Sequence, residues 1–164
     1  GIRDSFTSAT LGDDAGLTWF TERCGLQDAE ILRVESPFDY ASQAALYVPR
    51  HVPKPSDPAH SIAVARLSGA AADRLGGRTL VLTTTLKALR VIGDILKDRF
   101  SSTEWLEVLV QGDWPKRHLM ERFRAGATSG GRGCLLVASA SFWDGLDVPG
   151  CDLQLVILAT LPFP

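Results

Sequence analysis

Between residues 79 and 159 the chain alternates short apolar, β-branched runs with segments of helical period, and no other feature narrows the fold as far. Residues 79–83 (Thr-Leu-Val-Leu-Thr) have the composition of a buried strand. Leu86, Leu89, Ile92, Leu96 and Phe100 then recur at helical spacing. Residues 106–110 form a second strand, and Pro115 opens a helix carrying Leu119, Met120 and Phe123. Residues 134–138 and 153–159 supply two more strands. Strand, helix, strand, helix, strand is the pattern of an α/β fold, a parallel sheet with helices on both faces. Such sheets hold ligands beyond the carboxyl ends of their strands, so the informative residues are those just after each apolar run.

The remainder is less regular. A helix is expected over residues 15–24, with Asp13 or Asp14 at its start and Gly25 as its stop. Residues 30–34 and 45–48 read as short strands around a turn at Ser36-Pro37-Phe38-Asp39-Tyr40. Pro49, Pro53, Pro55 and Pro58 mark a surface loop. A helix rich in small residues follows over 61–75, closed by Gly76-Gly77.

Composition sets bounds. A chain of 164 residues is the size of one domain, and 45% hydrophobic with 22% charged residues excludes a disordered tail, a coiled coil and a collagen. Seventeen Lys and Arg against 19 Asp and Glu exclude binding by bulk positive charge, though not nucleic acid held in a local groove. Cys24, Cys134 and Cys151 are odd in number and far apart, which suits a reducing cytoplasm rather than a disulfide scaffold or a structural zinc site. No apolar run reaches membrane-spanning length. The chain opens at Gly1 without a signal peptide and stops straight after an apolar run, so it reads as an internal piece of a larger protein.

Four strand ends carry suggestive chemistry: Thr7-Ser8-Ala9-Thr10-Leu11, Thr83-Thr84-Thr85, Gln111-Gly112-Asp113-Trp114, and the run from Ser139 to Gly150. Singly, the threonines read as β-formers, Asp113 as a helix cap, Asp147 as a turn former and Trp143 as core. Together, short hydroxyls and amides on one sheet edge suit phosphate oxygens. Gly145 allows close backbone approach, and Asp147 suits a ribose hydroxyl or a cation.

The run Ser141-Phe142-Trp143-Asp144-Gly145-Leu146-Asp147-Val148-Pro149-Gly150, followed by residues 153–164, resembles motif V of the DinG/XPD-type superfamily 2 DNA helicases. Thr7-Ser8-Ala9-Thr10-Leu11 resembles motif III of that family. Ser36-Pro37-Phe38-Asp39-Tyr40 resembles the opening of its second motor domain, and residues 77–89 its motif IV. The resemblance implies a RecA-like domain, with residues 1–28 ending the first motor domain and 29–164 forming the second, cut before motif VI. It implies ATP and Mg²⁺ as cofactors of the complete protein, with an iron–sulphur cluster possible elsewhere. The implied partners are single-stranded or forked DNA and the missing first motor domain, in repair or replication.

Roles carry over by position. Ser8 and Thr10 match the motif coupling hydrolysis to DNA binding. Asp144, Gly145 and Asp147 match residues facing the nucleotide. Thr84, Thr85 and Ser139 fall where the family grips the DNA backbone, and Gln111 ends the strand that resembles the family's next one, so it is counted with them. Lys87, Arg90, Lys116, Arg117, Arg122 and Arg124 either add local positive charge for DNA, Lys87 first, or form a solvated helix face. Thr83 replaces a common phenylalanine, and Asp144 a common glutamate.

No Gly-x-x-x-x-Gly-Lys-Ser/Thr loop, acidic Mg²⁺ box or motif VI arginine occurs in the chain. These groups supply most of the charge neutralisation in phosphoryl transfer, so the chain alone is expected not to hydrolyse ATP. The alternative is a degenerate RecA-like module kept for protein or nucleic-acid contacts. An RNA motor is disfavoured by the Phe-Trp-Asp-Gly run. A dinucleotide binder is disfavoured by the lack of Gly-x-Gly-x-x-Gly between a strand and a helix.

Overall fold

The computed structural model describes residues 4–8, 11–126, 132–139, 142 and 153–161. The chain divides into two compact units, Gly1–Val48 and Pro49–Pro164.

The second unit holds the sheet. Strands β1 (Thr79–Thr83), β2 (Leu106–Val110), β3 (Gly133–Ser139) and β4 (Leu155–Leu158) lie in the order β2-β3-β1-β4. Every pairing is parallel, with Thr83 beside Ser139 and Leu82 beside Leu158. The two central strands, β1 and β3, are buried on both faces, as their unbroken apolar runs require.

Helices α3 (Ala59–Leu75) and α4 (Leu86–Arg99) cover one face, and their Val64, Ala65, Ala72, Leu89, Ile92 and Leu96 pack with Val81, Leu135 and Val137 of the sheet. Helix α5 (Lys116–Ala125) covers the other, setting Leu119, Met120 and Phe123 against Leu80, Leu82, Leu109 and Leu136. This is the expected α/β, RecA-like layering. Helix α3 starts two residues earlier than its composition suggests, because the Asp57 carboxylate accepts the Ala59 N–H at 2.8 Å. It stops where Gly76 and Gly77 turn left-handed, at φ +64° and +89°. A Cβ on Gly77 would stand 2.6 Å from the backbone nitrogen of Cys134, so this turn admits only glycine.

The proline loop is fastened at one point. The His60 ring, nearly buried, places Nδ1 2.7 Å from the Pro53 carbonyl and Nε2 2.8 Å from the Ala159 carbonyl. It thereby ties the loop to the carboxyl end of β4.

In the first unit, helix α1 (Thr18–Cys24) ends at left-handed Gly25 as expected. The Asp14 carboxylate accepts the Thr18 N–H at 3.0 Å and its hydroxyl at 2.5 Å, and these bonds hold Asp14 below the usual carboxylate range. A single helical turn, α2 (Tyr40–Gln43), follows the Ser-Pro-Phe turn. The two strands expected here do not form. Residues 30–34 and 45–48 are irregular, with Leu32 86% and Leu46 93% exposed. A strand gains its stability from a ladder partner, and none pairs with either segment among the described residues.

Candidate nucleic-acid interface at the sheet rim

Parallel strands end on one side, so the four carboxyl ends form a row. In sheet order it runs Gln111 after β2, Ser139 closing β3, Thr83 to Thr85 at the end of β1, and Thr160 beyond β4. Side chains tie neighbouring ends together. Gln111 Oε1 accepts from the Ser139 N–H at 2.7 Å and from its hydroxyl at 2.9 Å. Thr84 Oγ1 lies 2.7 Å from Thr160 Oγ1. Thr83, fully buried, donates to the carbonyls of Thr85 at 3.2 Å and Ala138 at 3.4 Å. Thr85 caps α4 by accepting the Ala88 N–H at 3.2 Å.

Thr84, Thr85, Ser139 and Gln111 thus share one rim, and Lys87 stands exposed on the first turn of α4 directly behind it. Arg90 is exposed one turn on. The other cations have protein partners. Arg117 pairs with Glu121 at 2.8 Å and Arg122 with Glu107 at 2.5 Å, while Lys116 Nζ sits 4.9 Å from the Phe142 ring centroid. Arg124 is also engaged. Ser8 lies exposed in the first unit. Thr10, Asp144, Gly145 and Asp147 lie outside the described residues, as does Trp143.

Asp113 is not the cap its position suggests. It forms an ion pair with Lys97 of α4 at 2.6 Å, and α5 begins at Lys116 with Pro115 at its N-cap and no side-chain cap. Three further residues at or beside the rim escaped the sequence reading. Thr160 follows an apolar run and obeys the same strand-end rule that found Thr84. His60 and Lys97 act through contacts distant in sequence, which no local pattern announces.

A small cavity of about 180 Å³ lies toward the amino ends of the strands, lined by Glu107, Arg122, Ala125, Gly126, Arg132 and Cys134. Burial, reinforced by the Glu107 carboxylate, pushes the Cys134 thiol up to about 11. A protonated thiol is a poor nucleophile, so this cavity offers no reactive sulfur. No His, Cys, Asp or Glu cluster able to hold a metal ion occurs among the described residues, and no described helix is long and apolar enough to cross a membrane.

The chemistry open to the rim is therefore hydrogen bonding from hydroxyls and amides, with Lys87 and Arg90 as nearby charge. That combination suits a phosphodiester backbone.

Comparison with known proteins agrees with the motif resemblance. Residues 70–164 match the family model described as a helicase C-terminal domain. The "ATP-dependent DNA helicase YoaA" of Escherichia coli is 40% identical over 158 residues, covering 96% of this chain and 23% of the relative. The protein of the same name from Haemophilus influenzae is 33% identical over the same shares. The "ATP-dependent helicase DinG" of Mycobacterium tuberculosis is 37% identical over 138 residues, covering 81% of this chain and 19% of the relative. The chain thus spans less than a quarter of the length of these relatives. With a matched family model over residues 70–164, which hold all four strands of its parallel sheet, the chain belongs to the helicase C-terminal domain family.

Proposed function

We propose that this chain is the second motor domain, with the end of the first, of an ATP-dependent DNA helicase of the DinG type. Residues 1–28 end the first motor domain and 29–164 form the second. Its rim grips the backbone of single-stranded DNA, and its motif V segment completes an ATP cleft shared with the first domain, in repair or replication in the cytoplasm. The observation that carries this reading is the row of Gln111, Ser139, Thr84 and Thr160 along one rim of a parallel sheet.

Hydroxyls and amides bind phosphate oxygens without reading bases, as a translocating motor requires. Lys87 adds charge beside them. ATP with Mg²⁺ supplies the fuel in this reading. The chain lacks a Gly-x-x-x-x-Gly-Lys-Ser/Thr loop, and its described residues form no metal-ligand cluster. No step of hydrolysis is assigned to them. In the same reading Ser8 and Thr10 couple hydrolysis to DNA binding, and Asp144, Gly145 and Asp147 face the nucleotide.

The test is a Thr84→Val, Thr85→Val double variant of the complete helicase. Its affinity for single-stranded DNA is expected to fall several-fold, and DNA-stimulated ATP hydrolysis to need correspondingly more DNA. Unchanged affinity would overturn the assignment of the rim. A complete protein that binds DNA but hydrolyses no ATP would favour the degenerate module.

A further inference from the structure

We propose that Trp114, braced by His118, is a stacking platform for a nucleobase of the strand held at the rim. This rests on the proposed grip of single-stranded DNA and adds a base contact to its backbone contacts.

Trp114 lies on the short loop between β2 and α5, three residues after Gln111, and is 52% exposed. About half of its indole stays in water, beside a sheet with apolar core on both faces. The loop that carries it is well fastened. The Gln111 N–H donates to the Val137 carbonyl at 2.9 Å, and the Asp113 N–H to the Val110 carbonyl at 3.2 Å. The Asp113 carboxylate is held by Lys97 at 2.6 Å, and Gln111 and Trp114 form a backbone bridge. The next residue, Pro115, has its own φ locked at −55° by its ring.

The ring is therefore exposed on a rigid mount, so it loses little freedom when it binds. His118, in the first turn of α5, sets its ring 5.2 Å from the indole centroid at 48°. It braces an indole that keeps half of its surface exposed. Gly112 leaves room next to this site: its φ is +104°, and nothing lies within 4 Å of where a Cβ would stand.

Gln111 is bonded to Ser139, so the indole adjoins the rim through one residue. A strand whose phosphates follow the hydroxyl row carries its bases within reach of the loop. Every base has a π-face, so stacking here strengthens binding without selecting sequence.

The experiment measures binding of the complete helicase to two fluorescent oligomers of equal length and charge, oligothymidine and an abasic phosphodiester. Trp114→Ala is expected to weaken oligothymidine binding roughly tenfold and to leave the abasic oligomer unchanged. The salt dependence should keep its slope, because no phosphate contact is lost. Trp114→Phe should recover most of the affinity, which a folding defect in the alanine variant would not predict.

Equal affinity of Trp114→Ala and wild type for oligothymidine overturns the proposal, and so does an equal loss on both oligomers. The Thr84→Val, Thr85→Val variant separates this result from the rim reading. If the backbone grip is right, that variant weakens both oligomers alike whatever Trp114 does.

Discussion

Gln111 offers a sharp test of how the rim is built. Its Oε1 takes two hydrogen bonds from one residue, the Ser139 N–H at 2.7 Å and the Ser139 hydroxyl at 2.9 Å. A net contribution of about 1 kcal/mol for each bond makes Gln111→Leu cost about 2 kcal/mol, the stranded N–H being half-buried at a strand end. Ser139→Ala removes only the hydroxyl bond and costs about 1 kcal/mol. In the double variant that bond is lost once, so the total stays about 2 kcal/mol and the coupling is about 1 kcal/mol. Urea unfolding of the 164-residue chain, followed by far-ultraviolet circular dichroism, reads this directly. With a slope of about 2 kcal/mol per molar, the midpoint drops by about 1 M for Gln111→Leu and about 0.5 M for Ser139→Ala. Gln111→Glu keeps the acceptor oxygens and should lie closer to wild type. Additive costs in the double variant would refute a shared acceptor, and so would a Gln111→Leu loss no larger than that of Ser139→Ala.

Other consequences concern the scaffold. Gly77→Ala forces a side chain into φ +89° and against the Cys134 backbone nitrogen, and should cost about 2–3 kcal/mol in the same urea assay. His60→Ala removes both carbonyl contacts and leaves a void, costing about 2–4 kcal/mol. The freed proline loop should then be cut by trypsin after Arg50 faster than in wild type; an unchanged rate would show that His60 does not fasten it. Exposed Cys24 should react with a disulfide reagent at once, and buried Cys134 only on unfolding. Since folding lifts the Cys134 thiol from the ordinary 9.0 to about 11, the folded state holds that proton more tightly. Its contribution to stability is whole below about pH 9 and is lost as pH rises toward 11, a decline that Cys134→Ala should flatten.

Sequence patterns reached the sheet because its strands are their own evidence. Residues 79–83 and 106–110 begin and end where expected: the first is an apolar β-branched run buried throughout, and the second, at the sheet edge, still buries Leu106, Leu109 and Val110. The same reasoning failed at residues 30–34 and 45–48, which have strand composition but no ladder partner among the described residues. Alternation records what a side chain prefers, not whether a neighbouring strand is present. At the rim, Thr84, Ser139 and Gln111 were legible because a parallel sheet gathers whatever follows its strands. The Asp113 pairing was not, because Lys97 lies on another helix and a loop aspartate before a proline also suits a cap.

A surface that holds phosphate must have protons to donate, and the rim hydroxyls are unequal in this. Ser139 spends its only hydroxyl proton on Gln111, and Thr83 shares its own between two carbonyls. The Thr84–Thr160 pair has two protons and uses one between them. Thr85 accepts from Ala88 N–H, a bond that leaves its own proton unspent. Hydroxyl donor capacity therefore concentrates at Thr84, Thr85 and Thr160, beside the first turn of α4 and Lys87. Ser139 can donate to a phosphate only by releasing Gln111. The two ends of the rim should then respond oppositely in the complete helicase. Thr85→Val lowers affinity for the abasic phosphodiester, whereas Gln111→Leu, which frees the Ser139 proton, holds or raises it. A comparable loss in both variants would mean that Gln111 itself touches the strand and that the proton count has the wrong residue withholding its donor.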